Sequence, residues 1–160
     1  GFPGLHAELL MQEAISPVCA PEVAKTLGSI ADLEHHTILR DALQNVGSPP
    51  SWEFWAEEAG FTLPQLPLSR QFGQANMVIQ AAIQGLGVAM GRGPLVADAI
   101  AQGLLVCPFE NVVASQFSYW LVCRHDALKS QKVRLFCEWL HEQTAAQDAE
   151  SLRGNTVPTH

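Results

Sequence analysis

The stretch Phe72–Phe109, FGQANMVIQAAIQGLGVAMGRGPLVADAIAQGLLVCPF, constrains the fold more than any other part of the chain. It reads as a strand end, an apolar helix, a buried strand bounded by glycines, a second helix and a short strand. The helix over Gln74–Gln84 places Ala75, Val78, Ile79, Ala82 and Ile83 on one stripe at helical spacing. Gly85 ends it. Gly87-Val88-Ala89-Met90 is too short and too apolar for anything but a buried strand. Pro94 suits the first turn of the next helix, Gly103 its close, and Leu104–Phe109 reads as a strand. Short strands alternating with helices predict an α/β fold with a mostly parallel sheet.

The flanking text continues the pattern. Gly1-Phe2-Pro3-Gly4 reads as a turn, and Leu9–Cys19 is one long extended segment with Pro17 near its end. A proline there fits an edge or a bend rather than a central ladder. Pro21 opens the helix PEVAKTL, and Ser29-Ile30-Ala31-Asp32 resembles a capping box. Thr37–Arg40 is a short buried strand. Gly47-Ser48-Pro49-Pro50 is a loop, and Ser51 and Gly60 cap the helix WEFWAEEA, with Trp52, Trp55 and Ala59 on one face. Ser69–Phe72 and Phe117–Arg124 are strand-like. Lys129–Ala146 is amphipathic, with Val133, Phe136, Cys137 and Leu140 on the side expected to be buried. The polar tail Asp148–His160 is expected to fray.

Composition narrows the functional classes. A chain of 160 residues, 48% hydrophobic, fits one folded domain with a sizeable core. Its formal net charge of −7 argues against these residues gripping phosphates themselves, because affinity for nucleic acid rests on clustered Lys and Arg. Cys19, Cys107, Cys123 and Cys137 are scattered without a C-x-x-C pair, as expected of buried thiols in a reducing cytosol. No apolar run is long enough for a membrane span, and no signal peptide opens the sequence.

No catalytic motif stands out. Adjacent residues do not face one another, so His35-His36 makes a poor metal pair and Glu57-Glu58 a poor acid–base pair. Gly85-Leu86-Gly87 and Gly91-Arg92-Gly93 hint at a phosphate cradle. The first pair, however, follows a helix and precedes a strand, the reverse of a dinucleotide fingerprint. No metal, cofactor or catalytic residue is predicted. A binding site is the better expectation. Gly73-Gln74-Ala75-Asn76 lies at a helix amino end, where free N–H groups and the dipole suit a carboxylate, and Gln74 and Asn76 can add their amides. Helix capping is the competing role for both. Tyr119, the only tyrosine, sits in an apolar strand, and its hydroxyl needs a partner if buried. Arg40 ends a strand just before a loop, where open α/β sheets bind ligands.

Several blocks resemble the effector-binding domain of LysR-type transcription regulators. They are Pro3-Gly4-Leu5, Pro17–Pro21, Leu33–Leu39, Met77–Ala82, Gly85–Ala89, Gly103–Phe109 and Tyr119–Cys123. Their order and spacing carry the resemblance over roughly residues 1–146. It is nearest to the subgroup containing the activator of the glycine-cleavage operon and the β-lactamase gene regulator. The resemblance implies a periplasmic-binding-protein-like (type 2) two-lobed fold, here one complete lobe plus part of the other. Residues 1–15 are expected to give part of lobe one and the first crossover, and 16–113 a complete lobe two. Residues 114–147 would form the return crossover, a strand and the carboxy-terminal helix of lobe one, with 148–160 a flexible tail. Relative to the family pattern, the start of lobe one and the preceding winged helix-turn-helix and linker helix are missing, and lobe-one remnants are expected to expose apolar surface.

The resemblance also implies an effector between the lobes, with Gln74, Ala75, Asn76, Ser118 and Tyr119 lining the cleft. The β-lactamase regulators commonly carry serines where Gln74 and Ala75 stand, whereas Tyr119 matches them. The expected protein is a cytoplasmic, ligand-sensing, non-enzymatic homodimer or homotetramer. It would bind a small-molecule, carboxylate-bearing effector, and DNA only through a helix-turn-helix outside these residues. A transporter's solute-binding protein and a small-molecule enzyme on the same fold are the competing readings.

Overall fold

A computed structural model of the chain describes residues 3–41 and 51–150. The loop predicted at Gly47–Pro50 lies outside the described residues, as does the tail from residue 151 onward. A five-stranded sheet runs through the molecule in the order β3-β2-β4-β1-β5. Its strands are β1 (Leu5–Val18), β2 (Ile38–Asp41), β3 (Ser69–Phe72), β4 (Val88–Arg92) and β5 (Val113–Arg124). The helices are α1 (Pro21–Ala24), α2 (Trp52–Glu58), α3 (Ala75–Ile83), α4 (Gly93–Ala101) and α5 (Gln131–Glu150), with a 3-10 turn over Ile30–His35.

Local chemistry places most of these elements. Ser51 Oγ accepts the Phe54 N–H at 3.0 Å, and Gly60 takes a positive φ of 80° just past the helix. Gly85 (φ 73°) and Gly103 (φ 70°) close α3 and α4 in the same way. Pro94 stands in the first turn of α4. The Ser29 N–H donates to the Asp32 carboxylate at 2.7 Å, and the two residues form the expected capping box. These bonds hold the Asp32 carboxyl below its usual range. His35 and His36 behave as surface and capping residues. His36 bonds the Thr26 hydroxyl and the Asp32 carbonyl, each at 2.8 Å, and His35 meets its neighbour Glu34.

The sheet is mixed rather than mostly parallel. β2 pairs with β3 and β4 in parallel, whereas β1 pairs with β4 and β5 antiparallel. β1 is longer than the sequence suggested, because it leaves β4 and runs on beside β5. Pro17 therefore lies in an interior strand. It is tolerated because β5 pairing stops at Ile15↔Val113, so Pro17 meets only β4, opposite Met90. The expected strand Leu104–Phe109 forms no ladder and is reduced to isolated bridge residues, among them Val106 opposite Cys19. Its apolar side chains serve the core instead of a ladder.

Alternation along the strands splits the core in two. Ile15, Ile38, Val88 and Met90 face one side, where they meet Leu33, Trp52, Trp55 and Phe109. Val18, Leu39 and Ala89 face the other side, against α3 and α4, through Val78, Ala82, Val96 and Ile100. Trp55 anchors the first cluster. Its indole N–H donates to the Asn111 carbonyl at 2.8 Å, and its ring meets Phe61 edge-on at 4.7 Å and Trp52 at 5.9 Å. Ala56, rather than the expected Ala59, is the buried alanine of α2. On α3 the buried residues are Val78, Ala81 and Ala82. The stripe is therefore rotated slightly toward Ala81, leaving Ala75 and Ile83 partly exposed.

Helix α5 departs most from expectation. It runs on to Glu150, beyond the predicted end, and buries Cys137 and Thr144 rather than Phe136. His141 Nε2 reaches the Glu8 carboxylate of β1 at 2.8 Å, and His6 bonds the other oxygen. These partners hold the Glu8 carboxyl below its usual range. Phe136 points outward and stacks on Trp139 at 5.8 Å. Both are at least half exposed, as are Leu135 and Trp120. Apolar surface is exposed on this ribbon and helix.

Gly87 sets the entry of β4. A Cβ there would come 2.1 Å from the Thr37 carbonyl oxygen, which accepts the Val88 N–H at 2.9 Å. Gly87→Ala is expected to destabilise by about 1–3 kcal/mol through overpacking. Gly73→Ala, at a position with open space around it, should be near neutral. Midpoints of urea unfolding check both.

Candidate functional site

The sheet presents the carboxy ends of β2, β3 and β4 at one edge, beside the amino end of α3. A small cleft opens there, lined by Asp41, Ala75, Val78, Ile79, Met90, Arg92 and Leu95. Its interior is about 10 Å³, on the order of one water molecule. A drug-sized ligand needs some hundreds of Å³, far more than this cleft encloses.

The predicted residues fall into three groups. Ala75 lines the cleft as the first residue of α3. Gln74 and Asn76 flank it at the same helix end but are exposed. Gln74 is the N-cap and makes no side-chain capping bond, while Asn76 Oδ1 accepts the Met77 N–H at 3.0 Å. Ser118 and Tyr119 lie on β5, opposite Gln12 and Met11 of β1, both half-buried. Arg40 does not line the cleft. Its guanidinium is turned to Glu53 of α2 at 3.3 Å.

Glu13, Arg92 and Asp41 were not predicted. Arg92 ends β4, and its guanidinium meets the Glu13 carboxylate at 2.7 Å. Glu13 is completely buried, while the Arg92 side chain keeps 24% of its surface exposed. Burial works against the Arg92 charge, but the hydrogen bond and charge of Glu13, with Tyr119 and Asp41 beyond, outweigh it and raise its pKa further. Tyr119 sits against the same pair. Burial raises its pKa, and Glu13 adds to the rise while Arg92 opposes it. The chain joins three separate elements here, with Glu13 and Arg92 79 positions apart in sequence. The one local sign was an arginine between two glycines, Gly91-Arg92-Gly93.

Burial makes the core thiols poor nucleophiles. It pushes Cys19 up to about 12 and Cys107 up to about 11. Among the described residues no group of His, Cys, Asp and Glu is arranged to hold a metal ion, and no helix is long and apolar enough to cross a membrane.

Arg92→Met would leave the Glu13 carboxylate buried without its counter-charge, at an expected cost of about 3–5 kcal/mol. The double variant E13L/R92M should recover most of that loss in chemical denaturation. A spectrophotometric titration of the single tyrosine is expected to show phenolate absorbance rising only above the ordinary midpoint of about 10, because Tyr119 is held in its neutral form. A midpoint at or below that value would contradict its placement.

Comparison with known proteins gives a consistent answer. Residues 1–145 match the model of the LysR substrate binding domain. The glycine cleavage system transcriptional activator of Escherichia coli K12 is 34% identical over 149 residues, covering 91% of this chain and 47% of that protein. The HTH-type transcriptional activator AmpR of Pseudomonas aeruginosa is 32% identical over 146 residues, covering 90% and 47%. The chain thus spans about half the length of these relatives. The solved effector domain of Pseudomonas aeruginosa AmpR superposes with a TM-score of 0.72 at 31% identity, covering 93% of this chain and 70% of that one. The AmpR effector-binding domain from Citrobacter freundii, at 22% identity and a TM-score of 0.72, shares the fold. By sequence and by fold, the chain belongs to the LysR substrate-binding domain family.

Proposed function

We propose that these residues are the ligand-sensing and oligomerising part of a cytoplasmic LysR-type transcription regulator. The observation that carries this is the cleft at the amino end of α3. It joins Ala75 to Arg92 and Asp41. In this reading residues 16–113 form lobe two, and residues 1–15 and 114–147 carry the crossover ribbon and lobe-one elements. The switch from parallel to antiparallel pairing across β4 supports that division. A small-molecule effector seated between the lobes then favours one lobe arrangement over another, by no more than its differential affinity for the two.

The effector bears a carboxylate in this proposal. Its acid group meets the free N–H groups of α3, with Gln74 and Asn76 alongside, while Ser118 and Tyr119 contribute hydroxyls from β5. DNA is contacted through a helix-turn-helix outside these residues, in keeping with the net charge of −7 and with relatives that are transcriptional activators. Homodimers or homotetramers would cover the exposed Trp120, Phe136 and Trp139.

The test uses the full-length regulator on its own promoter, with an effector found by thermal-shift screening of small carboxylates. Tyr119→Phe is expected to weaken the effector response roughly 3–10-fold, the worth of one hydrogen bond. The affinity of the unliganded protein for DNA should be unchanged. A variant that responds like the parent would remove Tyr119 from the cleft.

A further inference from the structure

Two cysteines meet where the ribbon of β1 and β5 lies against helix α5. Cys123 of β5 stands opposite His6 of β1, and cross-strand partners share a face of the sheet. Glu8, two residues on from His6, shares that face, and the His6 ring bonds its carboxylate. His141 of α5 reaches the same carboxylate at 2.8 Å, so α5 lies over this face. Cys137 precedes His141 by one helical turn and stands on the same side of α5. The strand face that carries Cys123 is therefore turned toward the helix face that carries Cys137. Burial pushes the Cys137 thiol up, and the charge of Cys123 is the next largest contributor, as expected of near neighbours.

Access sets this pair apart from the other two thiols. Cys19 and Cys107 also lie in reach of each other's charge, but both are wholly buried, with no path for an oxidant. Cys123 is half-buried. Cys137 lines an open cleft of about 490 Å³ beside Glu8, Leu128 and His141, ample room for a small peroxide. Helix α5 is also lightly held. Among its described side chains, Cys137 and Thr144 are the buried ones, which leaves it free to settle closer to the ribbon. Thiol pairs in a reducing compartment oxidise transiently, and such pairs serve redox sensing.

We propose that Cys123 and Cys137 form a reversible disulfide in the presence of peroxide, a redox-sensitive staple that fastens α5 to the ribbon. The half-buried Cys123 reacts first. Its thiolate attacks one peroxide oxygen, the S–O bond forms as the O–O bond breaks, and hydroxide leaves, taking up the proton that the thiol gave to solvent. The Cys137 sulfur then attacks the Cys123 sulfenic acid. The S–S bond forms, the S–O bond breaks, and the departing hydroxyl carries away the Cys137 proton as water. Two thiols are oxidised by two electrons and one peroxide is reduced to two waters. This device is separate from the cleft at the amino end of α3 and stands without an effector.

Hydrogen peroxide treatment of the full-length protein tests it, followed by unfolding, alkylation and peptide mapping without reduction. The expected product is a linked Cys123–Cys137 peptide pair, returned to two free thiols by dithiothreitol, with Cys19 and Cys107 alkylated throughout. In Cys137→Ser a dimedone probe is expected to trap a sulfenic acid on Cys123. In the oxidised parent, hydrogen exchange of the α5 amides should slow roughly tenfold or more, because the bond limits opening of the helix from the ribbon. Recovery of Cys123 and Cys137 as free thiols, as overoxidised acids, or linked to other cysteines overturns the pair. A linked pair with unchanged exchange in α5 overturns the staple. Both decisive readouts are made on the parent protein, so they hold even if a variant folds poorly.

Discussion

Burial of β4 on both faces and both edges is the constraint on which the rest of the structure depends. Val88 and Ala89 are wholly buried and Met90 nearly so, with β2 running parallel on one side and β1 antiparallel on the other. Such a strand has no polar side to offer, and only small residues let its neighbours approach. Gly87 passes under the Thr37 carbonyl, and Gly91 lies against Val18 and the Ser16 carbonyl. Both helix-covered cores meet on this strand. Its far end delivers Arg92 to the cleft, so the packing of the sheet and the chemistry of the site share one element.

The ion pair at that end is a costly arrangement. A buried carboxylate contributes little net stability even when well paired, and an aliphatic pair of similar size would hold the sheet at least as well. The ion pair lies beside the cleft, with a bulge in the neighbouring ladder. The neighbouring Arg40 shows the contrast. Paired with Glu53 on a partly exposed surface, it ties α2 to β2 and carries no such strain.

The outer ribbon of β1 and β5, with α5 against it, has a different character. Its polar contacts run through Glu8, His6 and His141, and its apolar residues Leu9, Trp120, Phe136 and Trp139 face outward. That apolar face is exposed in the structure. The inner sheet, by contrast, closes both of its cores within the described residues.

Short-range chemistry was legible in the sequence. Ser51, Gly60, Gly85, Pro94 and Gly103 each act through a bond or a backbone angle within a few residues, so the helix ends could be read directly. The family-bearing blocks were legible for the same reason, as ordered local patterns. Of the residues read as candidates, Ala75 lines the small cleft and Tyr119 lies against Glu13 and Arg92. What the sequence could not decide depends on strand partners and long-range pairing. Leu104–Phe109 has strand composition but forms isolated bridges rather than a ladder, and the amphipathic face of α5 was settled by where β1 lay. The ion pair between Glu13 and Arg92 exists only because antiparallel pairing of β1 with β4 sets Ile15 opposite Arg92. Local hydrogen bonding and periodicity thus determined the elements and their caps, while strand direction, register and the charged heart of the site were decided by tertiary packing, because they join residues that only the folded sheet brings together.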